Sequence, residues 1–234
     1  MTSGPAEPYH PRAMSTTRPP CILAVGRNYA EHAAEMGAIP QEHPIIFMKN
    51  PASAIADGER IVLPAICREH GPQVDWEGEL AVIIDRDCRD VPRDRALSFV
   101  RGYAAANDVS ARWWQRNGSG GQYCRGKSFD TFCPISAMTP AAKVPDPQRL
   151  MLRTRVNGEL MQEASTAGML FPVDYLISEL SRGMTLAAGT VLLTGTPSGV
   201  GHARKPPIYL KQGDVVEVEI EGVGRVRNPV VEEA

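Results

Sequence analysis

The chain has 234 residues, with 25 Lys and Arg against 27 Asp and Glu for a formal net charge of -2. That length suits one large domain or one domain with a small annex, and 43% hydrophobic residues are enough to bury a sizeable core. The near balance of charge leaves no basic stripe for nucleic acid and no polybasic cluster for a membrane surface, and no apolar run approaches the about 18 residues that span a bilayer. The five scattered cysteines (Cys21, Cys67, Cys88, Cys124, Cys133) form no Cys-x-x-Cys pair, which argues for reduced thiols in a cytoplasm rather than a disulfide framework or a zinc site.

Residues 1–20 are rich in Pro, Ser and Thr and carry no apolar signal segment, so a disordered tail is expected ahead of a single domain over 21–234. Met14 offers an alternative start. Residues 21–25 read as a buried strand stopped by Gly26, and 27–37 as a short helix closed by Gly37. On such a helix His32 and Glu35 share a face, and a carboxylate beside an imidazole can orient a general base. An exposed surface pair has the same spacing. Strands are expected at 45–49 and 61–63, on either side of a turn-rich stretch.

Residues 74–84 (Val-Asp-Trp-Glu-Gly-Glu-Leu-Ala-Val-Ile-Ile) hold the most informative pattern. If they form one strand, Glu77 and Glu79 point the same way and run into an apolar segment of the kind covered on both faces. Two carboxylates carried into a core repel and lose hydration, which a hard divalent cation can offset. Glutamates at alternate positions also mark the solvent face of a strand. Residues 216–221 (Val-Glu-Val-Glu-Ile-Glu) are an internal control for that reading, with Arg225 and Arg227 as cross-strand partners beyond Gly222. Around Glu77 and Glu79 neither the sustained alternation nor a nearby basic partner is present.

A helix over 94–100 would take Asp94 as its N-cap. The small, apolar stretch from Gly102 ends at Asp108, which fits a third oxygen ligand or an N-cap equally well. Lys127 sits between Gly126 and Ser128 but lacks the strand, glycine spacing and helix of a phosphate-binding loop. Further on come a strand at 150–156, a turn at Asn157-Gly158, and a helix over 172–181 with Pro172 in its first turn and Gly183 past its end. A buried strand at 191–194 leads into Gly195-Thr196-Pro197-Ser198-Gly199-Val200-Gly201, which could turn backbone N–H groups towards an anion or be simply a turn. Strands outweigh helices, so the fold class is α+β and mainly β.

Taken in order, Val25-Gly26-Arg27-Asn28-Tyr29 with His32 and Glu35, Glu77-x-Glu79, residues 107–112, residues 126–130, Val156-Asn157-Gly158 and residues 193–201 resemble the fumarylacetoacetate hydrolase superfamily, in its acylpyruvase or fumarylpyruvate hydrolase-like branch. The resemblance runs from about Cys21 to Pro229. It implies a mixed β-sandwich roll with a few short helices, a homodimer in the cytoplasm, and a Mg²⁺ (or Mn²⁺) held by Glu77, Glu79 and Asp108. It also implies a dioxo-acid substrate of the kind met in aromatic catabolism, contacted by Arg27, Gln115 and Thr196, with residues from 28 to about 42 as a lid. His32, oriented by Glu35, would activate water for C–C cleavage of an acylpyruvate, with Lys127 supporting the developing anion. A tautomerase, isomerase or decarboxylase acting on oxaloacetate or 2-hydroxydienedioates would use the same site, and a binding module without catalysis is the third alternative. Trp113-Trp114, where an acid commonly follows Ser-Ala-Arg, and Tyr123-Cys124, where Trp and a small residue are more usual, depart from the family's pattern.

Overall fold

The structure, a computed structural model, describes residues 18–31 and 42–233. The tail reading therefore lies outside the described residues for positions 1–17, Met14 included. So do His32, Glu35 and most of the expected lid. The five cysteines are all free. Among the described residues no helix is long and apolar enough to cross a membrane.

Two sheets carry the fold. The larger runs in the order Thr139–Pro140, Val100–Asn107, Gly78–Ile84, Val191–Leu193, Ile22–Gly26, Ile45–Lys49, with only the contact between Ile22–Gly26 and Val191–Leu193 parallel. The smaller runs Glu159–Ser165, Met151–Val156, Val215–Ile220, Gly224–Glu232, Ile61–Leu63. Leu80, Val82 and Ile84 of the first sheet share one core with Leu152, Val218, Ile220 and Val226 of the second, so the sheets are packed face to face. This is the mixed, mainly β sandwich that was expected.

Side-chain alternation decides what the other face of the large sheet does. Ala81 packs there among Ala24, Ala104, Ala106 and Phe47, and Glu79 shares its parity. Ala81 and the alanines of the neighbouring strand Val100–Asn107 keep the face beside Glu79 small. The control hairpin behaves as its pattern predicts. Val216, Val218 and Ile220 are buried, while Glu217 and Glu219 lie opposite Arg227 and Arg225.

Three local readings are corrected. Residues 27–29 are not helical: Arg27 takes a left-handed φ of 56° and Asn28 is fully buried, tying Thr194 and Phe171 together through its amide. Residues 93–99 form a 3₁₀ helix capped at Pro92, so Asp94 lies in its first turn and is not its N-cap. The run 74–84 is two strands, Val74–Asp75 and Gly78–Ile84, with Glu77 in the break between them.

Candidate active site

Strand register assembles the acids. Gly78 pairs with Asn107 and Glu79 with Ala106 on the neighbouring antiparallel strand. The chain ends beyond that ladder bring Glu77 and Asp108 together, with the Asp108 amide donating to the Glu77 carbonyl at 2.8 Å. Glu77, Glu79 and Asp108 are all buried, and one carboxylate oxygen from each lies within 4.8 Å of the others. Glu77 lies in the break between the two strands, and its carboxylate shares Lys127 with Asp108.

Contrary to the sequence reading, basic partners surround the acids. Lys127 Nζ donates to Glu77 Oε2 at 2.7 Å and also to Asp108 Oδ2. Lys49 Nζ donates to Asp108 Oδ1 at 2.5 Å. Arg112 Nη1 donates to Glu77 Oε1 at 2.6 Å, while its Nε and Nη2 hold Asp75 Oδ2 at 2.9 and 2.7 Å. These partners come from 19 to 59 residues away along the chain, beyond any local pattern. Lys49 did leave a trace. It follows Phe47 at strand spacing, and both are buried where Ile46 and Met48 are exposed.

Glu79 is the acid with the least compensation. Burial, then the charges of Asp108 and Glu77, raise its pKa well above the ordinary 4.5, against the opposing pull of Lys127 and the Gly195 N–H. Burial works against the Lys127 ammonium, but Asp108 and Glu77 outweigh it and raise its pKa, so Lys127 keeps its proton. Three converging carboxylates are a hard oxygen donor set, and the excess proton affinity of Glu79 marks negative charge that the lysines do not fully balance. The residues fit a divalent cation.

A test follows from the sign of the Glu79 shift. Between 4.5 and its raised value, the folded metal-free protein holds a proton that the unfolded chain has released. Metal-free stability therefore falls as pH rises through that window, whereas Mg²⁺ affinity rises and binding expels the proton. Titration calorimetry in buffers of differing ionisation enthalpy should show proton release on the acid side. A buffer-independent heat there would remove the account.

Glu77 and Lys127 open on a cavity of about 400 Å³ that is also lined by Arg27, Phe47, Arg112, Gln115, Arg116, Tyr123 and Thr196, among others. Arg27, Gln115 and Thr196 thus all reach it. Gln115 Oε1 accepts from Arg112, and the Thr196 hydroxyl donates to the Gly78 carbonyl while accepting from Gln162. The glycine-rich loop does turn N–H groups towards anions, but the anions belong to the protein. Gly195 N–H donates to Glu79, and the amides of Gly201 and His202 donate to Asp75. Of the departures from the family's pattern, only Tyr123 lines the cavity, edge-on to Phe47, while Trp113 stacks on His70. Sequence reasoning assigned no role to Lys49, Asp75, Arg112 or Arg116.

A mixed sandwich carrying a buried three-acid cluster under a protonated lysine defines a metal-site enzyme fold. Residues 21–231 match the family model described as Fumarylacetoacetate (FAA) hydrolase C-terminal, and the chain belongs to that family. It is 43% identical over 216 residues to the mitochondrial oxaloacetate tautomerase of Xenopus laevis, covering 92% of this chain and 66% of that protein. The chain thus spans about two thirds of that relative's length. Its fold is similar to the crystal structure of 5-carboxymethyl-2-hydroxymuconate delta-isomerase from Mycobacterium smegmatis (TM-score 0.80, 43% identity, 93% and 80% of the two chains covered). It is also similar to 2-hydroxyhepta-2,4-diene-1,7-dioate isomerase from Mycobacterium marinum (TM-score 0.79, 39% identity, 93% and 76% covered). The family expectation holds. Among activities, the relatives' names favour the tautomerase and isomerase alternative over acylpyruvate hydrolysis.

Proposed function

We propose that the chain interconverts keto and enol forms of oxaloacetate or a 2-hydroxydienedioate at a magnesium- or manganese-loaded acid triad. The observation that supports it most is the seat of Lys127, whose ammonium is held by Glu77 and Asp108 at the cavity floor. Oxygen ligands and a proton donor meet there. Glu77, Glu79 and Asp108 would hold the cation. When bound, it supplies Lewis-acid stabilisation to charge developing on a 2-oxo oxygen. Lys127, kept protonated by the two carboxylates, supports the same charge or returns a proton to it. Arg27, Gln115 and Thr196 set the substrate against the wall, and the commitments of Gln115 and Thr196 to protein partners keep that wall in shape. Hydrolysis of an acylpyruvate would further need a water activated by His32 with Glu35. Decarboxylation needs no such water.

The test follows enol–keto conversion of oxaloacetate, CO₂ release, and pyruvate release from acylpyruvates, each with Mg²⁺ and with EDTA. Mg²⁺-dependent conversion that EDTA and Glu77→Ala abolish is expected. Pyruvate release from acylpyruvates faster than conversion would reinstate the hydrolase, and silence on every substrate with metal bound would sink the reading. In His32→Ala, any acyl hydrolysis should fall by about 10²–10⁴-fold, the usual worth of a general base, while tautomerisation persists. Parallel loss of both would make His32 a base for tautomerisation too. The homodimer belongs to the same reading, and light scattering at the mass of one chain would remove it.

A further inference from the structure

Two arginines on the cavity wall have no acidic partner among the described residues. Arg27 and Arg116 both line the cavity, and neither has a hydrogen-bond or ion-pair partner among the described residues. The wall's third arginine, Arg112, is committed to Asp75 and Glu77. The two come from different elements. Arg27 follows the strand Ile22–Gly26 in a left-handed conformation, and Arg116 ends the short helix Arg112–Arg116. Most exposed arginines are simply solvated, but these two converge on one cavity beside a third. Partial desolvation, then the charge of Arg112, weaken Arg116's hold on its proton although its side chain still meets solvent, and Arg27 adds to the effect. Tyr123 and Tyr209 pull the other way without reversing the shift, and Tyr209 is held by His202 Nδ1 at 2.6 Å. An anion at this wall would relieve the crowding of positive charge.

The cavity is therefore charged at two places: Glu77 and Lys127, which belong to the acid cluster, and the two arginines that have no acidic partner among the described residues. A ligand that satisfies both has a 2-oxo acid end for the floor and a second anionic group for the wall. We infer that Arg116 is a specificity-determining residue that selects the second carboxylate of the substrate, so that dianions are preferred over monoanions of the same shape. This rests on the 2-oxo acid end lying at the triad as proposed above. The charge-assisted, fork-like pairing of a guanidinium with a carboxylate gives the discrimination.

The test compares oxaloacetate with its 4-methyl ester in wild type, Arg116→Gln and Arg116→Lys, with Mg²⁺ present. In Arg116→Gln the KM for oxaloacetate should rise about tenfold or more with kcat little changed, as expected when a charge-assisted pair is removed. The ester's kinetics should not move, and Arg116→Lys should recover part of the loss. Equal losses on both substrates, or no loss, overturn the assignment. Turnover of neither substrate by wild type would strike the catalytic reading alone. Calorimetric titration of the same two compounds into the Mg²⁺-loaded protein then decides. Preference for the dianion that Arg116→Gln erases supports the role of Arg116, while equal affinity or no binding in wild type overturns it. Arg116 is exposed, so the variants should melt with wild type.

Discussion

Asp75→Ala should lower the stability of the folded chain by about 3–5 kcal/mol, the usual cost of breaking a buried ion pair from one side. Asp75 is fully buried, and its carboxylate accepts from the amides of Trp76, Gly201 and His202 and from two nitrogens of Arg112. Alanine leaves those amides without an acceptor. It also leaves Arg112, itself only 2% exposed, with Glu77 as its remaining carboxylate. Burial disfavours the guanidinium charge, and Asp75 and then Glu77 are what raise its pKa regardless. For a chain of this size the loss corresponds to a melting temperature lower by roughly 6–20 °C. Asp75→Asn, which keeps one acceptor oxygen, should lose less. A melting temperature for the alanine variant within about 2 °C of wild type would mean that water replaces the carboxylate and that this network is not a stabilising one. Since Arg112 also braces Glu77, any folded Asp75→Ala protein should bind Mg²⁺ about 10–100-fold more weakly.

Glu79→Gln should separate stability from function in the opposite direction. Glutamine has the shape of the protonated glutamate that burial, Asp108 and Glu77 favour at this position. At neutral pH the metal-free variant should be at least as stable as wild type, because the cost of a buried like charge is gone. Stabilisation by Mg²⁺ should vanish, and Mg²⁺-dependent turnover should fall by more than about 100-fold, beyond what loss of a residue around the ligands costs. The measurement is a pair of melting curves, with and without Mg²⁺, beside the turnover assay. A variant that keeps its Mg²⁺-induced rise would remove Glu79 from the metal site. One that is less stable than wild type without metal would show that Glu79 is ionised in the folded protein.

Much of the fold was legible because it rests on short-range periodicity. Val216, Val218 and Ile220 announce a one-sided strand, Asn157 and Gly158 take the positive φ values that such a turn demands, and Pro172 and Gly183 bracket the helix Val173–Ser181. The failures are also physical. The pattern of 74–84 is compatible with one long strand, and only pairing with Ser110–Ala111 on one side and Val100–Asn107 on the other divides it. Asp94 has the chemistry of a cap but sits one residue inside its helix.

For the site, the residue types alone determine which groups can bind a hard cation, and the order of motifs singles out Glu77, Glu79 and Asp108. Their protonation, their partners and their access to a cavity were decided by tertiary structure. Lys49, Arg112 and Lys127 reach the acids across 19 to 59 residues of chain, and no local pattern encodes such distances. The same holds for the glycine-rich loop, whose amides are aimed at Glu79 and Asp75 rather than at a ligand. Sequence specifies the donors and acceptors that a segment carries. Which of them meet depends on packing, because burial turns weak, solvent-screened attractions between distant residues into the strong ones that shape this site.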